Sequence, residues 1–478
     1  MALRRREVLK LMAASAAGSA LAPRSVFSQA HATITRDVAI LGGGSAGTYA
    51  ALRLRDLGHS VVVLEKTQRL GGHAETFYGP VSGAPIDIGV IIFPDDPLVR
   101  AYFGRFGVEL IPGTGGGQTS SQFVDFRSGL PVTAYSPTQE ELGAAFGTYL
   151  QLLTTRFSFL GQNGYRLPGP GDVLDDLLLP FGQFVGKYGL NAILPTFFLY
   201  EQGFGPLLEA TTLYVLKNMS AQVVSAALSG GFLAVPAGTS ALYQAASAEL
   251  QGDILFGARV SRVERATRSA GESDRSGGGA ICIRVQSAGG LRVVHAKKLL
   301  VTAPPLPSNL RSLDLDSVEA ETFSRFMPNY YWTAVAEIEG GSPEVSLINA
   351  APDTSFNLPP LPGIYSIGPS VVPGLFDIKY GSDRELRDDR VRRAIASDVE
   401  RVNVPGMGPL SFEGYAIFKN HSPYMLHVAP DDIRAGFYES LESLQGHNAT
   451  FYAGAAFQTH SSAAIWAYLE ELLPRVFA

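Results

Sequence analysis

Gly42-Gly43-Gly44-Ser45-Ala46-Gly47 satisfies the spacing G-x-G-x-x-G directly after the apolar run Val38-Ala39-Ile40-Leu41. Glycines so spaced suit one task, holding a pyrophosphate by main-chain contact. Gly42 permits a tight turn, Gly44 lets the backbone approach the anion, and Gly47 lets strand and helix pack closely. Ser45 and Ala46 fall at the turn into a helix, whose N-terminus offers N–H donors and partial positive charge. Glu65 closes the second apolar run, Ser60 to Leu64, where an acidic side chain accepts hydrogen bonds from an adenosine ribose.

Two other readings compete. Gly43-Gly44-Ser45-Ala46-Gly47 also matches G-x-S-x-G, the turn that exposes a hydrolase serine. That turn needs earlier strands and an upstream oxyanion loop, and it leaves Glu65 without a role. The other is an unspecialised glycine loop, a real competitor in a chain with 52 glycines. Gly113-Thr114-Gly115-Gly116-Gly117, with no helix start after it, is read as such a loop.

The elements that position these residues emerge from the hydrophobic pattern. Val38–Leu41, Thr48–Leu57 and Ser60–Leu64 read as strand, helix and strand. Residues 135–225 carry Leu, Phe and Tyr at helical spacing, broken at Pro168-Gly169-Pro170 and at Gly203 to Pro206, and predict a buried helical insertion. Strand-rich segments return at Ile254–Glu264 and Ala280–Val285, with Thr267–Gly279 between them as an exposed hairpin loop. Lys298–Ala303 predicts another buried strand before Pro304-Pro305. Residues 310–420 read as mixed strand and loop, and Thr450–Gly454 leads into an amphipathic helix, Ser461–Leu473. At 478 residues the chain exceeds one ordinary core and predicts two domains.

Composition excludes several classes. With 46% hydrophobic and 17% charged residues of both signs, the chain is globular rather than disordered. A net charge of −6, without a Lys/Arg cluster past the N-terminus, argues against a nucleic-acid partner. Arg4-Arg5-Arg6-Glu7-Val8-Leu9-Lys10 and the small-residue stretch Ala13–Ala22 resemble a twin-arginine export signal, with a cleavage site at Ala30-His31-Ala32. The expectation is a protein exported to the periplasm or secreted, with residues 1–32 as its signal; a basic amphipathic tail is the alternative. The apolar stretch is too short and too rich in small residues for a stable membrane span. Cys282 is the only cysteine, so no intrachain disulfide forms, which suits export after folding.

The residues after Glu65 decide the cofactor. Glu65-Lys66-Thr67-Gln68-Arg69-Leu70-Gly71-Gly72-His73 resembles the flavin-containing amine oxidase and phytoene desaturase superfamily, which carries R-x-G-G-R here. The resemblance implies that Arg69, Gly71 and Gly72 lie against the FAD pyrophosphate, and Lys66 is counted with the cofactor-binding residues. His73 stands where that superfamily has Arg, and is read either as a donor to the cofactor or as a loop histidine. Further segments match in order. Pro85-Ile86-Asp87-Ile88-Gly89 resembles the segment near the flavin, which implicates Asp87 and Gly89. Gly238–Leu250 with Ala258–Val263 resembles the helix and strand at the adenine, with Val260 in contact. Phe451-Tyr452-Ala453-Gly454-Ala455-Ala456 resembles the C-terminal flavin segment, implicating Gly454 and Ala455. Thr35-Arg36-Asp37-Val38, Gly44 to Ala50, Arg69 to His73 and Ile86 to Val90 are most similar to the β-cyclopiazonate dehydrogenase family. The implied fold is α/β: a Rossmann-like FAD-binding domain (33–105, 226–310 and 425–478) with an interleaved α+β substrate domain (106–225 and 311–424).

That likeness implies hydride transfer from a small, largely apolar substrate to flavin, with the flavin supplying the redox chemistry. Amine oxidases often place a lysine near the flavin on the strand after the Pro-Pro turn, but Asn329–Val335 contains none. This leaves a dehydrogenase with an unassigned electron acceptor, or a flavin-dependent isomerase of a polyunsaturated or terpenoid substrate. A non-catalytic flavin-binding protein is the third reading. Phe197, Tyr200, Tyr331 and Trp332 are candidate pocket walls, although most buried aromatics are simply core. Cys282 lies on a strand remote from the flavin segments, so non-covalent FAD is expected. The eight histidines show no metal-ligand spacing, and no metal is expected.

Overall fold

Val38, Ala39 and Ile40 are buried because their strand, Ala32–Leu41, lies inside a seven-stranded sheet with a partner on each side. The structure, a computed structural model, describes residues 32–113, 119–265, 281–405 and 407–477. The leader through His31, Thr114–Gly117 of the glycine loop and the Thr267–Gly279 loop lie outside these residues. Ala32–Leu41 pairs in parallel with Val61–Glu65, which pairs in parallel with Ile254–Phe256. Val61–Glu65 is buried at every position, the pattern expected of a sheet covered on both faces. On the other flank Gly290–Val301 pairs in parallel with Thr450–Tyr452 and antiparallel with Ile281–Ser287, followed by Arg259–Arg265. Helix Ser45–Asp56 packs against the C-terminal helix Ser462–Phe477, where Tyr49 stacks on Trp466 at 5.8 Å between ring centroids.

A second seven-stranded sheet runs in the order Ser411–Asn420, Tyr330–Glu339, Leu375–Ser382, Gly363–Pro369, Val345–Asn349, Ser120–Asp125, Leu130–Pro131. Side chains alternate across Tyr330–Glu339, as a strand requires. Trp332, Ala334, Ala336 and Ile338 join one core with Val391, Ile395 and Val399 of helix Asp388–Arg401. Tyr331 and Val335 belong to other apolar clusters, and Thr333 Oγ1 donates to the Ile88 carbonyl at 2.7 Å. Asp388–Arg401 lies inside a segment expected to be strand and loop. Its buried residues Val391, Ile395 and Val399 recur every four positions in an otherwise polar run, the spacing of a surface helix rather than of strand and loop.

The expected helical insertion is present as Gln139–Thr154, Asp172–Leu178, Phe181–Tyr188, Leu194–Tyr200, Thr212–Asn218 and Ala221–Ser229. Gln139–Thr154 opens on a capping box between Thr138 and Glu141. The first strand begins earlier than expected, at Ala32, and the first helix begins at Ser45 rather than Thr48. Among the described residues no helix is long and apolar enough to cross a membrane.

Candidate cofactor and substrate site

Four strands of the first sheet end at one place and bring Gly42, Glu65, Thr302 and Gly454 together. Gly42 N donates to Leu64 O at 3.0 Å, and Thr302 Oγ1 donates to Gly42 O at 3.0 Å. The Glu65 carboxylate accepts from Gly43 N at 2.7 Å, and from Thr67 N and Oγ1 at 2.7 and 2.8 Å. Ala258 N donates to Glu65 O at 2.9 Å, which holds Val260 two residues from the same strand end. Gly454 has φ +117°, and a Cβ there would lie 3.4 Å from Thr302 O; half-buried Ala455 comes next. Ligands of open α/β sheets bind at such carboxyl ends of strands.

The glycines are needed where backbones touch. A Cβ on Gly47 would sit 1.9 Å from Gly42 O. Gly71 N donates to Gly43 O at 2.8 Å, and Gly72, at φ +58°, would put a Cβ 3.0 Å from Gly44 Cα. The two glycine loops therefore lie against each other. Helix Ser45–Asp56 starts at Gly44 with no side-chain cap and no acidic residue in its first turn. Its first N–H groups stay available to an anion, so the residues present fit the pyrophosphate of a dinucleotide. Ser45 Oγ accepts from the Trp466 indole N–H at 3.0 Å. Among the described residues no histidine or carboxylate is bonded to Ser45, so the hydrolase reading finds no general base there.

The second glycine loop is braced by Arg69. Its guanidinium donates to the carbonyls of Leu70, Gly72 and Ala74 and pairs with Glu75 at 2.5 Å, and Lys419 reaches the same carboxylate at 2.8 Å. Lys66 is exposed at the strand end. Asp87 accepts from Thr76 Oγ1 and from Thr239 N and Oγ1, tying its hairpin to the turn before helix Ser240–Glu249. Burial raises the Asp87 pKa against those hydrogen bonds. A Cβ on Gly89 would fall 1.6 Å from His73 O, so this segment and the second glycine loop touch through backbone alone.

Next to that contact lies an aromatic chamber. The His73 ring stacks on His421 at 4.7 Å and on Tyr424 at 5.8 Å, and Tyr424 also packs on His460 at 4.3 Å and Tyr331 at 4.8 Å. Tyr331 Oη donates to Gln202 Oε1 at 3.3 Å. His73 keeps accessible surface although protein surrounds it at depth. That depth pushes its pKa down to about 4, with Lys66 and Arg69 adding to the effect. Burial likewise takes His460 down to about 3 and His421 far below the usual range. The three imidazoles are neutral at pH 7.

Two of the four pocket-wall candidates face elsewhere. Phe197 is wholly buried in the helical core, parallel to Phe181 at 5.8 Å and edge-on to Tyr149. Trp332 lies on the far face of its strand, beneath the charged helix, with its indole N–H on Asp388. Tyr200 is half-buried against Phe232, and Tyr331 alone of the four packs on the chamber's rings. Residues the sequence did not single out are Thr302, Tyr365, His421, Tyr424 and His460, scattered along the chain and joined only by the fold. The strand without lysine also has one on each side. Thr333 pairs with Lys379 and Lys419 across the sheet, and those two are engaged by Asp377 and Glu75.

Asp316, Glu319 and His447 form a further cluster with ligand-like spacing. Glu319 is already bonded by Arg265 and Tyr452 Oη, while Asp316 caps helix Ser317–Ser324 and bonds His447. These bonds make the cluster a structural brace. Cys282 sits opposite Glu264 and His295, away from the glycine loops.

Two predictions arise here. Glu65→Leu deletes a carboxylate that orders the first loop through Gly43 N and Thr67. FAD affinity is expected to fall at least about tenfold in a fluorescence titration, and an unchanged Kd removes Glu65 from the site. The histidines predict a pH effect. A base whose pKa falls on folding leaves the unfolded chain binding more protons, so stability drops as pH falls from about 6.5 towards about 4. His421→Gln should lessen that dependence in urea midpoints; the same slope in the variant rejects His421 as a source of it.

Parallel strand ends with paired glycine loops, an acidic residue at the second strand and a C-terminal glycine define a class, the FAD-binding oxidoreductases. Residues 45–456 match the family described as flavin containing amine oxidoreductase, and the chain belongs to it. It is 35% identical to FAD-dependent oxidoreductase dpasF of Apiospora sacchari over 98% of this chain and 99% of that one. It is 32% identical to beta-cyclopiazonate dehydrogenase of Aspergillus oryzae, over 94% of each. Among solved structures, a CLA-producing fatty acid isomerase from P. acnes shares the fold at TM-score 0.74 and 21% identity, covering 93% of this chain and 99% of that one. Putrescine oxidase does so at TM-score 0.62 and 17% identity, over 93% and 99%. The protein is an FAD-dependent oxidoreductase.

Proposed function

We propose that this enzyme is a dehydrogenase of a small, largely apolar organic molecule held in the chamber of Tyr331, Tyr365, Tyr424, His421 and His460. The observation that carries this reading is the chamber's chemistry: aromatic rings and neutral imidazoles directly beside the contact between His73 and Gly89. Such walls favour uncharged, flat or chain-like substrates over ammonium ions. FAD, when bound, accepts the hydride that leaves the substrate carbon. The chain's own residues bind and orient. Gly42, Gly44, Ser45, Ala46 and Gly47 hold the pyrophosphate with Gly71 and Gly72. Glu65, Lys66 and Val260 border the adenosine, while Asp87, Gly89, Gly454 and Ala455 border the flavin. Arg69 keeps the second loop in shape, and His73 closes the chamber floor.

In this reading the segments that form the first sheet, 33–105, 226–310 and 425–478, bind FAD, and the remainder shapes the substrate. Residues 1–32, with Arg5-Arg6-Glu7-Val8-Leu9-Lys10, act as a twin-arginine signal, so the enzyme works outside the cytoplasm. A reporter fused to residues 1–40 should be exported, and Arg5→Lys with Arg6→Lys should block it.

The experiment on the chemistry begins with the absorption spectrum and acid-released chromophore of the purified protein. Released FAD, with flavin bands near roughly 375 and 450 nm, is the expected result. Anaerobic bleaching by an apolar substrate with a desaturated product then supports a dehydrogenase. Turnover that yields only a shifted double bond favours the isomerase, and a protein that neither carries nor binds FAD rejects the reading.

A further inference from the structure

Glu201 is a buried acid that the cofactor loops do not use. It comes directly after helix Leu194–Tyr200, its N–H closes that helix on Phe197 O at 2.8 Å, and the residue is 2% exposed. One carboxyl oxygen, Oε1, accepts from Asn218 Nδ2 at 2.9 Å. Asn218 is itself fixed, its Oδ1 accepting from Thr459 Oγ1 at 3.0 Å, one residue before His460 of the chamber. The other oxygen, Oε2, is buried and has no hydrogen-bond partner. A buried polar atom left unpaired costs free energy, so a native protein keeps one where something else completes it.

The surroundings say what that is. The turn after Glu201 is pressed onto the aromatic rings. Gly203, at φ +88°, donates its N–H to Tyr365 Oη at 3.2 Å, and a Cβ there would lie 2.6 Å from the Tyr424 ring. Tyr149, Tyr365 and Tyr424 are the titratable groups that respond to the Glu201 charge, and no cation is among those that shift Glu201 itself. The acid thus stands directly behind the chamber's aromatic wall, with one oxygen held and one free.

We propose that Glu201 is a substrate-binding residue whose free oxygen hydrogen-bonds a neutral acceptor, a carbonyl oxygen, on an otherwise apolar substrate. This rests on the chamber being the substrate site. Burial, opposed only by the Asn218 hydrogen bond, raises the Glu201 pKa to about 8. At pH 7 the group is therefore a carboxylic acid with a proton to donate, and it pairs with an acceptor rather than with an ammonium ion. The carbonyl binds the protonated form, so its affinity falls as pH rises through about 8.

The test titrates FAD-loaded enzyme by calorimetry with three aromatic probes of one shape: acetophenone, ethylbenzene and 1-phenylethylamine. Wild type should prefer acetophenone over ethylbenzene by about fivefold to tenfold at pH 7 and lose that preference by pH 9.5. Glu201→Leu should bind both alike. Glu201→Gln, which keeps a donor but cannot titrate, should retain a preference that no longer depends on pH. An unchanged preference in Glu201→Leu overturns the proposal, because solvent then serves Oε2. A pH-dependent preference in Glu201→Gln overturns it as well, as does tighter binding of 1-phenylethylamine than of acetophenone at pH 7. Retention of FAD by all three proteins, read from the flavin spectrum, separates these failures from failure of the flavoenzyme reading itself.

Discussion

Gly47→Ala is expected to give a protein that retains no FAD and unfolds at markedly lower denaturant, losing about 3 kcal/mol or more. The added Cβ would lie 1.9 Å from Gly42 O, 2.8 Å from Thr302 Oγ1 and 3.0 Å from Gly42 C. Two of those atoms are backbone of the pyrophosphate turn and cannot swing aside, so helix Ser45–Asp56 must move away from its strand. That shift carries the helix N-terminus off the anion position. Gly44→Ala is the informative contrast. Its Cβ would find nothing nearer than Gly72 Cα at 3.9 Å, so the fold should tolerate it. The methyl group occupies the space left for a close-approaching ligand, and FAD should be lost with little change in the urea midpoint. Equal stability losses in the two variants would mean that Gly44 is kept for packing rather than for the cofactor.

The second large effect is on stability alone. The Arg265 side chain is 1% exposed and that of Glu319 is 0%, with their nearest contact at 2.6 Å and a second bond at 2.7 Å. Tyr452 Oη and Asp314 complete the cluster, and the hydrogen bonds that Arg265 donates to Glu319 and Asp314 raise its pKa against burial. Arg265→Met leaves a carboxylate buried without its cation and is expected to cost about 3–5 kcal/mol. Arg265→Met with Glu319→Leu removes both charges, and recovery of much of the loss is expected in the same denaturation experiment. If the double variant is no better than the sum of the singles, the two charges act separately and the pair is not the source of the effect. The pair ties Arg259–Arg265 to helix Ser317–Ser324, and through Tyr452 to the strand before Gly454, so flavin retention should weaken with it.

The cofactor half of this protein was legible because its chemistry is done by the main chain. A turn that must meet a pyrophosphate, and a helix that must pack on a strand, admit only glycine, and the spacing of those glycines survives in one dimension. Gly42, Gly44, Gly47 and Glu65 were therefore readable as a dinucleotide cradle, Gly71 and Gly72 came from the family resemblance, and the curated relatives bear out FAD. Continuous apolar runs marked the strands of the first sheet for the same reason, since both faces of that sheet are covered.

The substrate side was not legible in this way. Tyr331 and Trp332 are adjacent and both aromatic, yet the two-residue period of a strand sends one to the chamber and the other beneath a helix. Phe197 and Tyr200 share a helix, and packing against Phe181 and Tyr149 made the first of them core. His73, His421 and His460 are far apart in the chain, and nothing in their local sequence says that they meet. The amino-acid sequence by itself determined the cofactor and its cradle, because backbone constraints act on neighbours. Only the tertiary structure decided which side chains gather around Tyr424, because a side chain's surroundings depend on strand register, helix rotation and contacts between distant segments.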